Sequence, residues 1–202
     1  MEEILWEVQY LSPPKTIRYC KRCDMKTEYV SSGLFRVNAQ QKYLDIWLIY
    51  RCASCKSIWN LTIYSRINPK SIGQTLLNQF MNNDSDLAQR YAMDTELLKR
   101  SGAEIEAPSY SIIGEMIDFT KDVELKIVSK YSEKVKVSKI LRKKLSLTKK
   151  VFDEMVSNGI FRLENGSDIH KCKLHHDIAV LISGASIYSK NAMCSGAGKA
   201  SP

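Results

Sequence analysis

The sequence predicts an α+β protein in which an antiparallel β unit, a helical connector and a small basic α+β module follow one another. Two Cys-x-x-Cys pairs enclose segments rich in aromatic and branched residues, which are typical of strands. Apolar residues then recur at helical spacing from Ile72 onward, and a lysine-rich helical window precedes two strand-like runs. We therefore expect four segments: the β unit at 1–68, the connector at 69–120, the basic module at 121–182 and a flexible tail at 183–202.

The composition is that of an ordinary globular chain. It has 202 residues, of which 44% are hydrophobic and 26% charged, enough for one large or two small domains. Collagen-like, coiled-coil and fully disordered proteins are excluded. The longest apolar stretches, Tyr43–Tyr50 and Ile178–Ile182, are too short to cross a bilayer, and Met1-Glu2-Glu3 is unlike the start of a signal peptide. We therefore expect a cytoplasmic protein without a membrane partner.

The positive charge is concentrated in one window of the chain. Residues 121–150 contain 11 basic and 3 acidic side chains, whereas residues 1–120 contain 14 of each and residues 151–202 contain 5 of each. The window therefore accounts for the whole net charge of +8. Such a compact basic block is typical of a surface that binds a polyanion, and nucleic acid is the commonest polyanion in the cytoplasm.

Four of the six cysteines form two Cys-x-x-Cys pairs, Cys20 with Cys23 and Cys52 with Cys55. In a reducing compartment this spacing favours metal binding over disulfides. Each pair can form a tight knuckle, and two knuckles together supply a closed tetrahedral site for Zn²⁺. We expect one structural zinc ion per chain, because a catalytic zinc needs an open position and residues 1–69 contain no histidine. Thioredoxin-like redox motifs and four buried cysteines are the alternatives.

Strand-like segments surround the two cysteine pairs. Glu28–Val30 and Leu34–Val37 can pair with Lys42–Tyr50 around a polar turn, and Ser57–Tyr64 follows the second pair. This order predicts a zinc ribbon, a small sheet whose folding is coupled to metal binding.

Three runs near the knuckles, Gly33–Ala39, Leu44–Cys52 and Trp59–Asn60 with Tyr64–Arg66, resemble a bacterial family catalogued as domain of unknown function 1062. The resemblance implies no assigned activity. The polar and aromatic side chains of these runs can either meet a partner or serve the core and the turns. They are Arg36, Asn38, Trp47, Arg51, Trp59, Asn60 and Arg66.

The middle of the chain predicts three short helices. Ser71 can cap the first, which includes Phe80; Asn82–Asp86 forms a turn, and Asp94 can cap a third helix that ends at Arg100. Charges of both signs alternate along these helices. That pattern is typical of a solvated helical face rather than of a pair of catalytic carboxylates.

From Val123 the pattern favours helix, with an apolar stripe over Val135–Leu145 and basic residues on the other faces. Thr148 then stands at an N-cap position before a second helix, whose first turn contains Lys149 and Lys150. Two positive side chains and the free amides of a helix start would point in one direction. Such a helix end is suited to bind a phosphate.

This window and the strand-like runs after it resemble the S-four RNA-binding module, which is named for a small-subunit ribosomal protein. The matching residues are Val137, Ile140, Leu141, Leu145, Leu147–Lys150, Met155–Val156, Asn158–Ile160 and Asn165–Gly166. Lys136 and Ser138 stand where the module usually has Arg and Asp, and His176 replaces a glycine. The resemblance implies two helices that feed a small sheet over Val135–Ile182. It also implies an RNA surface formed by Lys139, Arg142, Lys143, Lys149 and Lys150.

The kind of basic residue indicates how a nucleic acid would be bound. Lysine outnumbers arginine ten to one between residues 121 and 150, which favours contact with phosphates over reading of bases. We therefore expect binding of structured RNA, for example ribosomal or transfer RNA. A solvated pair of lysine-rich helices without a ligand is the alternative for this window. For the whole chain, two rival functions stay open: a protein-interaction adaptor that uses the ribbon, and a DNA-binding transcriptional regulator.

No motif in the sequence supports an enzymatic reaction, so we expect a non-enzymatic protein. The chain contains no phosphate-binding glycine loop, no nucleophile elbow and no Ser-His-Asp grouping. His170, Cys172, His175 and His176 lack a clear fourth ligand for a second metal site, and we expect Cys172 to be a small buried residue. Cys194 belongs to the predicted tail.

Overall fold

The structure, a computed structural model, describes residues 1–40, 42–131 and 135–184. These residues form two compact units. The central unit is Tyr10–Ser109, and the terminal unit combines Met1–Gln9 with the described residues from Tyr110 onward. None of the helices in the described part of the chain has the length and apolar character that a membrane span requires.

Strands predominate in both units. In chain order they are β1 (Glu2–Tyr10), β2 (Lys15–Cys20), β3 (Met25–Gln40), β4 (Tyr43–Cys52), β5 (Ile58–Ile67), β6 (Glu104–Glu106), β7 (Tyr110–Ile113), β8 (Val123–Ser129), β9 (Phe161–Leu163) and β10 (Asp177–Ile182). The α-helices are α1 (Gln74–Met81), α2 (Ser85–Ala92), α3 (Thr95–Arg100), α4 (Val137–Lys144) and α5 (Lys149–Ser157), and a short 3-10 helix spans Pro69–Ser71.

The central unit contains an antiparallel sheet with the strand order β5-β4-β3-β2-β6. In β4 the residues Leu44, Ile46, Leu48 and Tyr50 are buried, whereas the residues between them are only partly buried. This alternation places one face of the strand against the core. Helices α1 and α2 cover that face, where the ring of Phe80 lies 4.8 Å from the ring of Phe35.

The terminal unit contains a second five-stranded sheet, with the order β7-β1-β8-β10-β9. β1 pairs in parallel with β8, and β10 pairs antiparallel with β8 on one side and β9 on the other. Helices α4 and α5 contribute Ile140 and Phe152 to the core, and both side chains are fully buried. The ring of Phe152 stacks on that of Phe161 in β9 at 5.5 Å.

The predicted fold class is wrong. We expected a small zinc ribbon, a helical connector and an S-four-like module, whereas the structure is mostly β, with two large sheets. One cause lies at Val123, where helix was predicted. Val123, Leu125 and Ile127 alternate with less buried residues and form the core side of β8, which is the two-residue period of a strand.

The individual helices of the middle segment form close to where they were predicted, but they do not connect two domains. Asp84 caps α2 and Asp94 caps α3, each through a carboxylate oxygen that accepts a backbone N–H. Their apolar sides belong to the core of the central unit. The boundaries predicted after residues 68, 120 and 182 stay predictions, and the predicted tail lies outside the described residues from residue 185 onward.

Candidate metal centre and basic hollow

The first cysteine knuckle closes at the end of β2. The carbonyl oxygen of Cys20 accepts a hydrogen bond from the amide of Asp24 at 2.8 Å. Asp24 has a φ of 56°, a left-handed conformation in which an Asp residue is tolerated and which reverses the chain tightly. The turn therefore brings Cys23 back beside Cys20.

The second knuckle repeats this geometry at the end of β4. The amide of Lys56 donates to the carbonyl oxygen of Cys52 at 3.0 Å, and Lys56 has a φ of 64°. β3 pairs with β2 on one side and with β4 on the other. The sheet therefore holds the two knuckles at a fixed separation.

The four cysteine sulfurs converge on one point. All four lie within 4.8 Å of one another. The sulfurs of Cys20 and Cys55 are 3.5 Å apart, and those of Cys23 and Cys52 are 3.8 Å apart. A tetrahedron with metal–sulfur bonds of about 2.3 Å has sulfur–sulfur edges of about 3.8 Å, whereas a disulfide bond is only about 2.05 Å long. The four free thiols can therefore hold a metal ion.

Hydroxyl groups stand next to two of these sulfurs. The Ser57 hydroxyl oxygen lies 3.2 Å from the sulfur of Cys20, and the Thr27 hydroxyl oxygen lies 3.2 Å from that of Cys52. Hydrogen bonding by Ser57, and next by Tyr29, lowers the pKa of Cys20 to about 5. Hydrogen bonding by Thr27 likewise lowers the pKa of Cys52. Both contacts favour the thiolate, which is the form that binds a metal.

The pKa of the Cys23 thiol shifts in the opposite direction. Its hydrogen bond with Cys55, followed by burial, raises the pKa of Cys23 to about 12. Thiolates at this spacing repel one another, so all four cannot ionise together without a compensating charge. A bound cation supplies that charge and allows every ligand to lose its proton.

The structure brings together all four cysteines that the sequence predicted as metal ligands. Within the described residues, no other group of His, Cys, Asp or Glu meets the geometry of a metal site. Sequence reasoning missed Thr27 and Ser57 as partners of the sulfurs. Ser57 follows Cys55 by two residues, but only the strand register shows that these hydroxyls face the site.

Trp59 and Trp47, which lie in the runs that carry the family resemblance, each have an arginine above the ring. The guanidinium carbon of Arg18 lies 4.0 Å above the ring of Trp59, and that of Arg36 lies 5.9 Å from the ring of Trp47. Trp59 also packs against the core of the central unit. These contacts are consistent with a structural use of the tryptophans.

The predicted basic residues lie on α4 and α5 of the terminal unit. Thr148 caps α5 as predicted, because its hydroxyl oxygen accepts the amide hydrogen of Val151 at 3.3 Å. The first turn of α5 contains Lys149 and Lys150 and no acidic residue. The last turn of α4 contains Arg142, Lys143 and Lys144, so basic side chains stand at the end of one helix and at the start of the next. Clustered cations of this kind attract anions.

A hollow of about 910 Å³ is lined by residues of α4 and α5, and we call it the basic hollow. The cations that line it are Lys136, Lys139, Arg142, Lys143 and Lys149. None of them forms an ion pair with a described carboxylate. The acidic lining residue Asp153 has its Oδ1 atom 3.6 Å from Nδ1 of His170. Five cations and one carboxylate therefore line the hollow, which leaves it with an excess of positive charge.

Two of the five predicted nucleic-acid contacts have other surroundings. Lys143 donates a hydrogen bond to the carbonyl oxygen of Tyr110 and lies 4.1 Å from the centre of its ring. Lys150 lines a neighbouring hollow, which it shares with Lys149 and the acidic residues Asp153 and Glu154. Four of the five predicted contacts line the basic hollow, namely Lys139, Arg142, Lys143 and Lys149. Lys136 lines it as well, although the sequence assigned this residue no role in binding.

One donor of a residue at the basic hollow lacks a partner among the described residues. The Nε atom of Arg142 is buried and makes no hydrogen bond within this part of the chain. Buried N–H groups almost always have an acceptor in a folded protein or in bound solvent. Because this atom has no accessible surface, a ligand in the hollow could reach it only if the Arg142 side chain moved.

The histidine-rich segment contributes to the rim of the basic hollow. The ring of His170 meets that of Phe152 edge-on at 5.7 Å. The Cys172 thiol is only partly buried, contrary to our expectation of a buried residue. Cys194 lies outside the described residues.

The model of a family described as "Protein of unknown function (DUF1062)" matches residues 37–167, which is well over half of the chain. The matched range includes Cys52, Cys55 and both basic helices, and it begins after the first knuckle. No curated protein and no solved structure matches the chain. The resemblance to this family is confirmed, whereas nothing in the comparisons supports the resemblance to the S-four module.

Proposed function

We propose that this chain, which belongs to the DUF1062 family of proteins of unknown function, is a non-enzymatic binding protein. In this proposal it holds one structural zinc ion and binds structured RNA, such as ribosomal or transfer RNA, through the basic hollow. We place it in the cytoplasm, where the cysteines stay reduced.

The four-thiol site supports the zinc part of the proposal. Four protein sulfurs complete a tetrahedron, so no position is left for a substrate, and soft thiolate ligands favour Zn²⁺ over the hard cations Mg²⁺ and Ca²⁺. The four cysteines would hold the ion, and the ion would tie the ends of β2 and β4 together. The zinc would thus stabilise the sheet rather than take part in a reaction.

Native mass spectrometry tests this part directly. We expect a mass increase that corresponds to one zinc ion per chain, and a strong chelator should remove it. Circular dichroism should then report a loss of β structure, because metal binding and folding are coupled at such sites. A chain that remains fully folded and metal-free after chelation would contradict the zinc proposal.

The excess positive charge of the basic hollow, with five cations against the one carboxylate of Asp153, is the single observation that supports RNA binding. Lysines act as point charges toward phosphate oxygens, and they dominate the lining. Like charges at one concave surface repel one another unless an anion occupies it. RNA phosphates would supply this anion, and their contact with lysines would give affinity with little sequence preference.

A salt titration of binding tests the RNA part. The probes are an RNA hairpin with a 5′-hydroxyl group and a DNA hairpin of the same sequence. We expect tighter binding of RNA, with log affinity falling linearly with log salt concentration. The double variant Lys139→Gln/Lys149→Gln should reduce the slope by roughly 1 to 2.

The matched control is Lys171→Gln, which removes one exposed lysine of the same unit that already pairs with Asp168. Its slope should equal that of the wild-type protein. Equal affinity for RNA and DNA would instead favour the DNA-binding regulator. If the double variant leaves the slope unchanged, the basic hollow is not the RNA-binding site.

A protein-interaction adaptor is the second candidate function. Tyr19, Met25 and Ile58 are more than half exposed, and each lies within three residues of a metal-binding cysteine. Exposed apolar side chains beside a rigid site are suited to a protein partner. The same titration separates the two functions, because an adaptor has no RNA affinity that depends on Lys139 and Lys149.

A further inference from the structure

The sheet of the central unit has a second face, on the side away from its core. In β4 every second residue from Leu44 to Tyr50 is buried in the core, so every second residue from Tyr43 to Arg51 points to the other side. We call this side the outer face, and it continues through the partners of these residues in β3 and β5. The buried residues of α1, α2 and α3 belong to the core on the opposite side. These helices therefore leave the outer face uncovered.

The outer face gathers residues of the runs that carry the family resemblance. The strand register places Arg36 opposite Trp47 and Asn60 opposite Ile49, and residues that lie opposite each other share a face of the sheet. Trp47 is half-buried and, unlike Trp59, lies outside the core cluster of the central unit. Among the two uses that the sequence left open for these residues, contact with a partner therefore fits Trp47 better than a place in the core.

Two aromatic side chains on this face each have an arginine next to the ring. Tyr43 is 46% exposed, and the guanidinium carbon of Arg66 lies 4.9 Å from the centre of its ring. Trp47 has Arg36 beside it in the same way. Aromatic rings and guanidinium planes are the groups on which proteins stack unpaired bases. Tyr43 and Trp47 are four residues apart, which is about 13 Å along a strand, so they would stack on different bases.

The charge of the outer face complements a phosphate backbone. Residues 34–40, β4 and β5 together contain Arg36, Arg51 and Arg66, and Asp45 is the one acidic residue of these stretches. None of the three arginines forms an ion pair with a carboxylate of the described residues. The Oδ1 atom of Asp45 accepts the backbone N–H of Arg66 at 2.8 Å. The arginines therefore keep their charge available for phosphates.

Two amide side chains on the same face favour RNA over DNA. Asn38 lies opposite Asp45, and Asn60 lies opposite Ile49. A side-chain amide both donates and accepts hydrogen bonds, so it can bind a 2′-hydroxyl group. DNA lacks this group.

From these observations we infer that the outer face binds a single-stranded segment of RNA. Bases stack on Tyr43 and Trp47, and the arginines contact the phosphates between them. A duplex does not fit, because its bases are already stacked on one another and only an unpaired strand can place them on protein rings. This surface belongs to the central unit and shares no residue with the basic hollow. It is therefore a second RNA contact, which does not depend on the first.

Fluorescence anisotropy with the full zinc-loaded chain tests this inference. The probes are a short oligouridine RNA labelled at the 3′ end and an oligodeoxyuridine of the same length, neither of which can form a duplex with itself. We expect the RNA to bind more tightly, with log affinity falling linearly with log salt concentration. Tryptophan emission gives a second readout, because Trp6 is fully buried and Trp59 packs against the core. Quenching by added RNA should therefore come from Trp47.

Substitutions of the two aromatic residues locate the stacking. Trp47→Leu removes the ring and should weaken oligouridine binding roughly 5- to 150-fold, which is the effect of one stacked base. It should also abolish the quenching. Trp47→Phe restores a ring and should retain most of the affinity. Tyr43→Leu should weaken binding as well, at a position where nearly half of the residue is exposed. Circular dichroism and zinc content check that each variant is folded.

Arginine substitutions test the contact with phosphates. Arg36→Gln/Arg51→Gln should reduce the salt slope by roughly 1.4, because each phosphate contact on a single strand contributes about 0.7. The matched control is Arg90→Gln/Arg100→Gln, which removes two exposed arginines of α2 and α3. Its slope should equal that of the wild-type protein.

The outcomes separate this inference from the RNA-binding proposal for the basic hollow. If oligouridine does not bind, or if Trp47→Leu and Tyr43→Leu both bind it like the wild-type protein, the inference is overturned. Hairpin binding that depends on Lys139 and Lys149 can survive either result. Equal affinity for the RNA and DNA strands overturns the assignment to RNA. Oligouridine binding that Trp47→Leu weakens and Lys139→Gln/Lys149→Gln leaves intact supports the outer face as a separate site.

Discussion

The hydroxyl oxygen of Thr27 lies 3.2 Å from the sulfur of Cys52, and both residues are buried. This hydrogen bond is the first cause of the lowered pKa of Cys52. A lower thiol pKa makes the thiolate more available at neutral pH, where protons compete with a metal for the ligand. Thr27 therefore supports the metal site through Cys52, while the four cysteines supply the ligands.

Replacement of this hydroxyl should weaken metal binding. Thr27→Val keeps the shape of the side chain but removes the hydrogen bond, so the pKa of Cys52 should rise. We expect the zinc affinity to fall roughly 10- to 100-fold, as is typical when a partner of a ligand is removed. Competition with a chelator of known affinity near pH 7 measures the change.

The control is Thr62→Val, which makes the same substitution at an exposed position of β5. Its zinc affinity should match that of the wild-type protein. Equal affinities for the Thr27 and Thr62 variants would show that the Thr27 hydroxyl does not support the site.

Loss of one ligand should unfold the central unit. Cys52→Ser removes a thiolate from a site that can contribute about 10 to 16 kcal/mol, whereas a whole domain is stable by only about 5 to 15 kcal/mol. We expect native mass spectrometry to find no zinc and hydrogen exchange to become fast across Tyr10–Ser109. Cys172→Ser, which changes a cysteine outside the cluster, should keep both the zinc and the slow exchange. A zinc-free Cys52→Ser protein with unchanged exchange would refute the structural role.

The cysteine cluster could be predicted from the sequence because its signal is local. Each knuckle is closed by residues close in sequence, through hydrogen bonds such as the one from the Asp24 amide to Cys20. The sheet of the terminal unit has no such local signal. β1 pairs with β8, so Ile4 lies opposite Leu125, and no periodicity within either segment indicates the other as its partner.

The placement of the basic residues was predictable only in part. Composition and helical spacing put Lys139, Arg142 and Lys149 on neighbouring helices, as the structure shows. Lys143 was predicted only as a nucleic-acid contact, but it also donates a hydrogen bond to the carbonyl oxygen of Tyr110, 33 residues earlier in the chain. Adjacent lysines on a helix point about 100° apart: Lys149 lines both the basic hollow and a neighbouring hollow, whereas Lys150 lines the neighbouring hollow. Contacts between distant segments decide which charges remain available to a ligand.

Phe80 of α1 should contribute strongly to the stability of the central unit, because its side chain is part of the core of that unit. Its side chain is 1% exposed and lies against the rings of Phe35 and Tyr91 at 4.8 and 5.7 Å. We expect Phe80→Ala to lower the free energy of unfolding by about 3 to 5 kcal/mol, measured by urea denaturation of the zinc-loaded protein. The neighbouring Met81 is 63% exposed, so Met81→Ala should change it by no more than about 0.5 kcal/mol. Equal effects of the two variants would mean that α1 does not pack on the sheet.

Gly114 should tolerate no side chain, because β1 approaches it closely. A Cβ atom at this position would lie 2.4 Å from Cδ1 of Trp6 and 2.5 Å from the carbonyl oxygen of Leu5, and the φ of 136° disfavours any other residue. The indole of Trp6 is fully buried and donates to the carbonyl oxygen of Glu115 at 2.7 Å, so it cannot move aside freely. We expect Gly114→Ala to lower the free energy of unfolding by about 1 to 3 kcal/mol.

Gly73→Ser is the control for this substitution, because no atom lies within 4 Å of a Cβ at Gly73. Gly73 also occupies the N-cap of α1, where serine is a favoured residue. Urea denaturation should therefore find this variant at least as stable as the wild-type protein. If Gly114→Ala unfolds at the same urea concentration as Gly73→Ser, the close approach of β1 to Gly114 does not exist in solution.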